Sequence, residues 1–262
     1  MSAPDCTLLV ASCDAYSDLW EPYFALISRY WPDCPFPIAL ITENKRPNLG
    51  RVRALHLGQG LDWSSLLLRA LDAVSTPYVL LSLEDFFLRR TVDTQRVIAL
   101  LDALKRENLN MLRLIPRPGP KGRRLKGLYG GIAPHTPYRV STQAALWRVT
   151  VLRQLLLPGE SAWQFEVNGS KRSSLYQGFA SVWDAAIPYR HHVVERGRWF
   201  PWAAFRFRRL QIGVDLKARP VMSAVETSRW VFNKLTAGIV TRIPSSMRAK
   251  LKHFAKRIKL LP

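Results

Sequence analysis

The sequence lacks several features that would place it in a specialised class of protein. Its three cysteines, Cys6, Cys13 and Cys34, are odd in number and have no CxxC spacing, so neither a disulfide framework nor a zinc site is predicted. No apolar run approaches the ~20 residues that span a bilayer. The start of the sequence has no basic segment leading into the apolar run of a signal peptide. Internal repeats and low-complexity segments are also absent, and we expect a cytoplasmic protein.

Acidic residues are scarce relative to basic ones. In 262 residues, 19 Asp and Glu stand against 39 Lys and Arg, which gives a net charge of +20. Residues 196–262 hold 16 of the basic residues and only two acids. This excess indicates an anionic partner: nucleic acid, phospholipid headgroups or a phosphorylated small molecule. We expect a catalytic body over residues 1–200 and a basic, helical extension over residues 201–262.

Apolar runs alternate with helical stripes through the first half of the chain. Strands are predicted at residues 6–12, 37–42, 52–57, 78–83 and 111–115, and helices at 18–30, 64–74 and 93–107. A strand at 138–148, a short helix to 157 and a strand at 187–194 are predicted further on. This alternation predicts an α/β fold, Rossmann-like, with a mostly parallel sheet flanked by helices.

Carboxylates follow three of the predicted strands. Asp14 follows the first, Glu43 the second, and the adjacent pair Glu84 and Asp85 the fourth. In parallel α/β sheets, ligands bind beyond the carboxyl ends of the strands. Neighbouring carboxylates repel each other and favour a bound divalent cation, Mn²⁺ or Mg²⁺, or a protonated partner. The alternative is that the pair caps the next segment and binds one of the arginines at 89–90.

Five ordered motifs, DxYxDLW, YWPDCP, EDFF, QAALWR and WQFExxGSxRS, occur between residues 6 and 200. Together they resemble the GT-A glycosyltransferases, and more closely a group of bacterial glycosyltransferase-like proteins from surface-polysaccharide (lipopolysaccharide or capsule) loci. The resemblance implies a GT-A-like fold and inverting transfer of a sugar from a nucleotide-sugar donor to a glycan or lipid-linked glycan acceptor. The usual Asp-x-Asp signature is absent, because Glu84, Asp85 and Phe86 stand in its place.

The resemblance also implies roles for individual residues. Glu166 is the candidate general base, and desolvation by Trp163 and Phe165 would suit it to take a proton from an acceptor hydroxyl. Asp85 is the second catalytic candidate. The donor-binding candidates are Ser12, Asp14, Tyr16, Asp62, Arg69, Glu84, Arg117 and Arg172. Metal-ligand candidates are Glu84, Asp85 and, from its place near a predicted strand end, His191.

Structural roles are possible for the same side chains. Asp14 and Asp62 could cap helices, and Arg69 could form a surface salt bridge. Glu166 could pair with one of the cations at 171–172, and the His191-His192 pair could be purely structural.

A loop at residues 116–131 is rich in glycine, proline and basic side chains. Arg117, Arg123, Arg124 and Lys126 could stabilise a departing diphosphate, or the loop could simply be solvated. This composition does not favour a helix or a buried strand.

The C-terminal segment from Ser246 to Leu261 has an apolar stripe at helical spacing and basic residues elsewhere. Such a helix is typical of binding to an anionic membrane surface, which predicts a peripheral location at the inner face of the cytoplasmic membrane; the alternative is packing on the body. Two rival functions stay open. One is nucleic-acid binding, since aromatic residues and arginines alternate at 199–207, although the acidic sheet edge argues against a nucleic-acid partner. The other is an inactive scaffold of the same fold.

Overall fold

The computed structural model describes residues 5–124, 127–190, 193–195 and 197–242, with side chains as far as residue 233. The strands are β1 (Cys6–Ala11), β2 (Ile38–Thr42), β3 (Val52–His56), β4 (Tyr78–Leu83), β5 (Phe87–Leu88), β6 (Met111–Arg113), β7 (Tyr129–Gly131), β8 (Ala145–Arg148), β9 (Phe179–Val182), β10 (Tyr189–Arg190), β11 (Val194–Glu195) and β12 (Arg198–Trp199). The α-helices are α1 (Trp20–Tyr30), α2 (Trp63–Ala73), α3 (Thr94–Arg106), α4 (Val149–Leu155), α5 (Ala162–Gln164), α6 (Ser170–Arg172), α7 (Pro201–Leu210) and α8 (Ala224–Arg242). A 3₁₀ helix, Asp14–Leu19, precedes α1, and a π-helical turn, Phe165–Gly169, joins α5 to α6.

The central sheet of the described residues has the strand order β3-β2-β1-β4-β8-β6-β9-β7. Strands β3, β2, β1 and β4 are parallel neighbours. Strand β8 is antiparallel to both β4 and β6, β9 is parallel to β6, and β7 is antiparallel to β9. All strands of this sheet except β8 and β7 therefore share one direction. The predicted α/β class, with a mostly parallel sheet flanked by helices, is confirmed.

Helices cover both faces of the sheet. Strand β1 is buried along its whole length: Leu8 and Val10 pack with α1 and α3, whereas Leu9 and Ala11 pack with α2 and α4. This alternation follows from the two-residue period of a strand. Burial on both faces explains why β1, β2 and β4 are almost entirely apolar until they reach the sheet edge.

Helix starts follow the side chains that cap them. Asp62 accepts a hydrogen bond from the backbone N–H of Ser65 at the start of α2 (3.0 Å), and Asp93 does the same for Arg96 at the start of α3 (3.0 Å). Such caps satisfy N–H groups that have no partner within the helix. The structural alternative for Asp62, a helix cap, is therefore present in the structure.

Two predicted strands were wrong in extent. Only Ala145–Arg148 of the segment 138–148 forms a strand. The buried Arg139 side chain instead donates to the carbonyl oxygens of Ser173 and Tyr176, so the preceding backbone is tied to the α6 region and not to the sheet. The segment 187–194 contributes two separate strands, β10 and β11. Strand β9 was missed, because four residues, FASV, carry little periodic signal.

The hydrophobic core continues into the basic extension. Ala203 and Phe207 of α7 are buried, and the Phe207 ring lies 5.2 Å from Phe87 and 5.4 Å from Trp199, measured between ring centroids. A domain boundary at residue 200 stays a prediction. The proposed membrane-binding segment from Ser246 to Leu261 lies outside the described residues. Within the described part of the chain, no helix is long and apolar enough to cross a membrane.

Candidate functional site

A cavity of about 430 Å³ opens at the carboxyl ends of β1, β2 and β4. These three neighbouring strands run in the same direction, so the residues that follow them meet at one edge of the sheet. The cavity wall includes Ser12, Cys13, Tyr16, Glu43, Leu61, Trp63, Leu66, Glu84, Asp85 and Ala162. Acidic and hydroxyl groups face an aromatic and aliphatic wall across it, which suits a ligand that is partly planar and partly polar.

Glu84 and Asp85 form the acidic side of this cavity. Glu84 is only 9% exposed, and burial, reinforced by the charge of Asp85, raises its pKa to about 8. Burial also raises the pKa of Asp85 to about 6, with a smaller contribution from Glu195. Both carboxyls therefore keep their protons to a higher pH than ordinary carboxyls do, and a protonated carboxyl can donate a hydrogen bond or give up its proton to a cation. The described residues contain no ion pair between these carboxylates and the arginines at 89–90.

Asp85 Oδ1 and Ser141 Oγ are both buried without a hydrogen-bond partner among the described residues. The last pair between β4 and β8 is Leu81 with Ala145. Because β8 is antiparallel to β4, the segments 82–85 and 141–144 leave the sheet side by side. Buried polar atoms without partners are rare in folded proteins, so this edge has capacity to bind a polar ligand or ion.

Asp14 lies outside the cavity, between the ends of β1 and β2. Its carboxylate accepts hydrogen bonds from the backbone N–H groups of Glu43, Asn44 and Lys45 at 2.9–3.0 Å, and its own N–H donates to Glu43 Oε2 at 2.9 Å. Burial acts to raise the pKa of Asp14, but these N–H donors outweigh it and hold the pKa below its ordinary value. Asp14 therefore positions Glu43 and does not itself line the cavity.

Two other donor-binding candidates from the first strand end do line the cavity. Ser12 Oγ accepts a hydrogen bond from Trp20 Nε1 at 2.7 Å, and Tyr16 stands beside it. Burial raises the pKa of Tyr16, and the nearby Glu84 adds to the effect, so its hydroxyl stays a neutral hydrogen-bond donor. By contrast, Asp62 caps α2, and Arg69 donates to the carbonyl oxygen of Leu57 at 3.0 Å.

Glu166 lies on the π-helical turn and is half-buried. Its Oε1 accepts hydrogen bonds from the backbone N–H and the hydroxyl of Thr142, at 2.7 and 2.9 Å. Thr142 belongs to the segment that leaves the sheet beside Glu84, and Ala162, one turn earlier in the same helical region, lines the cavity. One carboxylate oxygen is thus fixed by Thr142. No hydrogen bond to the second oxygen, Oε2, is found among the described residues.

The prediction that Trp163 and Phe165 together shield Glu166 from solvent is wrong. Phe165 is fully buried, 5.4 Å from the Trp63 ring between centroids, and Trp163 is 65% exposed. The expected alternative, an ion pair between Glu166 and a cation at 171–172, is also not found among the described residues. Thr142, which a sequence reading did not single out, orients Glu166 instead.

Arg172 is engaged in a structural ion pair. Its guanidinium donates to both carboxylate oxygens of Glu160 at 2.9 and 2.6 Å and to the carbonyl oxygen of Leu155. Asn168 also donates to Glu160 at 2.9 Å. The pair joins the end of α4 to the helical region that carries Glu166. Arg172 does not line the acidic cavity, and we leave it out of the proposed donor site.

The basic side chains of the loop at 116–131 do not gather at one site. Arg124 forms an ion pair with Asp184 at 2.6 Å, and Arg117 lines a separate, second cavity. Lys126 and His191 lie outside the described residues. Arg113, which the sequence analysis missed, is fully buried and donates to three backbone carbonyls, those of Pro118, Tyr138 and Arg139. It ties the loop to the segment that leads to Thr142.

A second missed residue, Arg219, returns from the basic extension to the acidic side of the cavity. Its guanidinium pairs with both oxygens of Asp18 at 2.8 and 2.9 Å, donates to the carbonyl of Ala15 and lies 4.8 Å over the Tyr16 ring. Its positive charge partly offsets the raised pKa of Glu84. The extension therefore contacts the residues beside this cavity, through a side chain 135 positions after Glu84 in the chain.

Replacement of Arg219 should destabilise the protein. The side chains of Arg219 and Asp18 are only 8% and 13% exposed, so Arg219→Gln leaves a nearly buried carboxylate without its partner. We expect the free energy of unfolding to fall by about 2–3 kcal/mol, measured by urea denaturation. Lys217→Gln, two residues away and exposed, is the control and should change it by less than about 0.5 kcal/mol. Equal effects of the two variants would contradict the role of the pair.

The acidic pair fits one kind of metal site. Among the described residues no group of three or more His, Cys, Asp or Glu side chains is arranged to hold an ion, so a fully protein-coordinated metal does not fit. Mg²⁺ and Mn²⁺ at diphosphates often use only one or two carboxylates, with phosphate oxygens and water completing the shell. Glu84 and Asp85, whose Oδ1 has no hydrogen-bond partner among the described residues, fit that arrangement.

Comparison with known proteins gives structural likenesses only. No protein-family model matches the sequence, and no relative was found among curated proteins. A mannosyltransferase from Pyrobaculum calidifontis, solved with GDP-Man and Mn²⁺, has a TM-score of 0.47 and 12% identity and covers 99% of this chain and 81% of its own. A fragment of S. aureus TarS with UDP-GlcNAc has a TM-score of 0.46 and 12% identity over 71% of this chain. LgtC has a TM-score of 0.37 and 11% identity, and covers 77% of each chain.

The chain spans 57% of the length of the TarS fragment that it matches. Identities this low describe general architecture. The chemistry must therefore be argued from the residues of this chain.

Proposed function

We propose that the protein is an inverting glycosyltransferase of cell-surface polysaccharide biosynthesis, which moves a sugar from a nucleotide-sugar donor to a glycan or lipid-linked glycan acceptor. One observation carries the proposal: the cavity at the carboxyl ends of three parallel strands has an apolar wall and a buried acidic pair, and Ala162, from the helical region that carries Glu166, lines it. Transfer to a hydroxyl requires a donor pocket and a base in the same place, and the motif resemblance agrees with this arrangement.

The two sides of the cavity suit the two halves of a nucleotide sugar. Trp63, Leu61 and Leu66 offer a flat apolar wall for the base, and the hydroxyl groups of Ser12 and Tyr16 lie across from them for the ribose. The diphosphate and sugar would extend toward Glu84 and Asp85. A cation shared with the diphosphate would be held by these two carboxylates, and it would neutralise charge on the leaving group.

Glu166 would act as the general base. The free carboxylate oxygen accepts the proton of the acceptor hydroxyl while the hydroxyl oxygen forms a bond to the anomeric carbon. The bond from that carbon to the phosphate oxygen breaks, and the nucleoside diphosphate leaves with the electron pair. A single displacement of this kind inverts the anomeric configuration. Thr142 would hold the carboxylate in position by fixing its other oxygen.

The basic extension would bring the enzyme to its acceptor. We propose that the segment from Ser246 to Leu261 binds anionic lipid at the inner face of the cytoplasmic membrane, since its cations alternate with an apolar stripe. Lipid-linked acceptors would be concentrated at that surface.

Thermal unfolding with nucleoside diphosphates and nucleotide sugars tests the donor site. We expect a nucleotide-selective stabilisation of about 2.7 kcal/mol at 100 times the dissociation constant, increased by Mn²⁺ or Mg²⁺. Trp63→Ala should weaken the shift, and Trp163→Ala, an exposed tryptophan outside the cavity wall, is the matched control.

The outcomes separate the candidate functions. A shift without metal would retain the donor site and remove the cation from it. Donor binding without turnover would favour an inactive scaffold. If no nucleotide shifts the transition while oligonucleotides bind with a steep salt dependence, the protein is a nucleic-acid-binding protein.

A further inference from the structure

A second, larger cavity of about 710 Å³ has basic side chains in its wall where the first has acidic ones. Tyr189 lines it, and the Tyr189 ring stacks on Phe86 at 4.3 Å between centroids. Since Phe86 directly follows Asp85 in the chain, this aromatic stack connects the wall of the second cavity to the acidic pair. The proposed donor occupies the acidic cavity, so the second is available to another ligand.

Three arginines line the second cavity: Arg89, Arg117 and Arg190. A fourth, Arg206, donates to the carbonyl oxygen of Arg89 at 2.9 Å. Burial, followed by the charges of Arg89 and Arg206, lowers the pKa of Arg190. Across the described ranges no carboxylate lines this cavity, and none forms an ion pair with these four arginines. Cations gathered without a counter-charge make a strong site for an anion.

The remainder of the cavity wall is aromatic. The guanidinium carbon of Arg190 lies 3.9 Å from the centre of the Trp202 ring, and the Phe200 ring packs edge-on against Trp230 at 4.8 Å. Stacking on Trp202 holds the guanidinium flat, which leaves its N–H edge available for bidentate contact with phosphate oxygens. The wall of this cavity thus contains both cationic hydrogen-bond donor groups and an apolar surface.

Apolar side chains continue from the cavity to the protein surface. Val231, which lines the cavity, is 43% exposed. Phe205 on α7 is 68% exposed. Val231 in the cavity wall, and Phe205 three residues after Trp202 on α7, therefore offer apolar surface to a chain that leaves the cavity.

We propose that this cavity binds the phosphate or diphosphate of an amphiphilic acceptor, with the arginines on the anion and the aromatic wall on the first part of an apolar chain. The inference rests on the proposed glycosyltransferase function, and it names the acceptor class of that enzyme as a lipid-linked phosphate. Because the Phe86–Tyr189 stack connects the wall of this cavity to the acidic pair, a ligand bound here would direct its acceptor end toward the donor cavity. A nucleic acid fits less well, since single strands need an extended groove with successive stacking platforms.

Calorimetric titration of the full chain with farnesyl diphosphate, inorganic diphosphate and farnesol tests this proposal. We expect farnesyl diphosphate to bind at least about tenfold more tightly than either of the others. Arg190→Gln should weaken that binding by about tenfold or more, because it removes a charge-assisted, bidentate contact. Arg208→Gln, which removes an exposed cation from α7, is the matched control and should leave it within about twofold. Arg117→Gln, also at an exposed arginine, provides a second variant if Arg190→Gln unfolds at a lower temperature.

Equal binding of farnesyl diphosphate by wild type and both cavity variants would overturn the proposal. Equal affinity for inorganic diphosphate and farnesyl diphosphate would overturn its amphiphilic part, and competition by a single-stranded oligonucleotide at similar concentration would reassign the cavity to nucleic acid. UDP and GDP titrations on the same variants report on the acidic cavity separately. If the cavity variants bind UDP and GDP normally and bind farnesyl diphosphate as tightly as wild type does, this inference alone is rejected. If wild type binds no nucleotide, the proposed function is rejected.

Discussion

Glu166→Gln should lower the rate of sugar transfer by about 10²–10⁴-fold and leave the dissociation constant for the donor within about twofold. The size follows from the usual contribution of a positioned general base. The amide oxygen of glutamine can still accept from Thr142 N–H, as Glu166 Oε1 does at 2.7 Å, so the fold of the turn should persist. The measurement is single-turnover transfer from the donor identified by thermal unfolding, together with calorimetric donor binding.

Two further variants sharpen that test. Thr142→Val removes the hydroxyl that donates to Glu166 but keeps the backbone N–H, and should lower kcat less than Glu166→Gln does. Glu107→Gln removes an exposed carboxylate elsewhere and should change neither rate nor binding. If Glu166→Gln lost donor binding and transfer to the same extent while keeping its thermal transition, Glu166 would be a donor-site residue and not the base.

The first half of the fold could be predicted because its signals are local. Strands β1, β2 and β4 are uninterrupted apolar runs buried on both faces, and α2 and α3 begin at aspartates that cap them. The grouping of Glu43, Glu84 and Asp85 followed from one rule: parallel strands end at a common edge. The second half gave weaker signals, since β9 has four residues and β10 to β12 have two each.

The contacts that complete the candidate site could not be read from the sequence. Arg219 reaches Asp18 across 201 positions, and nothing in its neighbourhood distinguishes a buried arginine from the exposed ones around it. The sequence makes Arg172 a candidate for donor binding. Its actual partner is Glu160, and that pairing depends on how α4 packs against the π-helical turn. The cationic cavity combines arginines from three separate stretches of chain. Such long-range pairings depend on packing, which local periodicity does not report.

Glu84→Gln should make the protein more stable at high pH, and the gain should disappear in acid. Folding raises the pKa of Glu84 from 4.5 to about 8. Between these two pH values the folded state therefore holds a proton that the unfolded state has released. The stability associated with that proton is complete below pH 4.5, declines as the pH rises, and is lost above about pH 8. A shift of this size corresponds to about 4–5 kcal/mol at most, and coupling to Asp85 divides it between the two carboxyls.

Glutamine copies the neutral carboxyl and does not titrate, so the variant should have the same free energy of unfolding as the wild type near pH 4. It should exceed the wild type by up to about 4 kcal/mol near pH 9. Urea denaturation in EDTA across this range measures the difference without a bound cation. Glu21→Gln, at an exposed position on α1, is the control and should change the free energy of unfolding by less than about 0.5 kcal/mol. A constant difference between wild type and Glu84→Gln at every pH would mean that folding does not raise the pKa of Glu84, and the carboxyl would then be ionised in the folded protein at neutral pH.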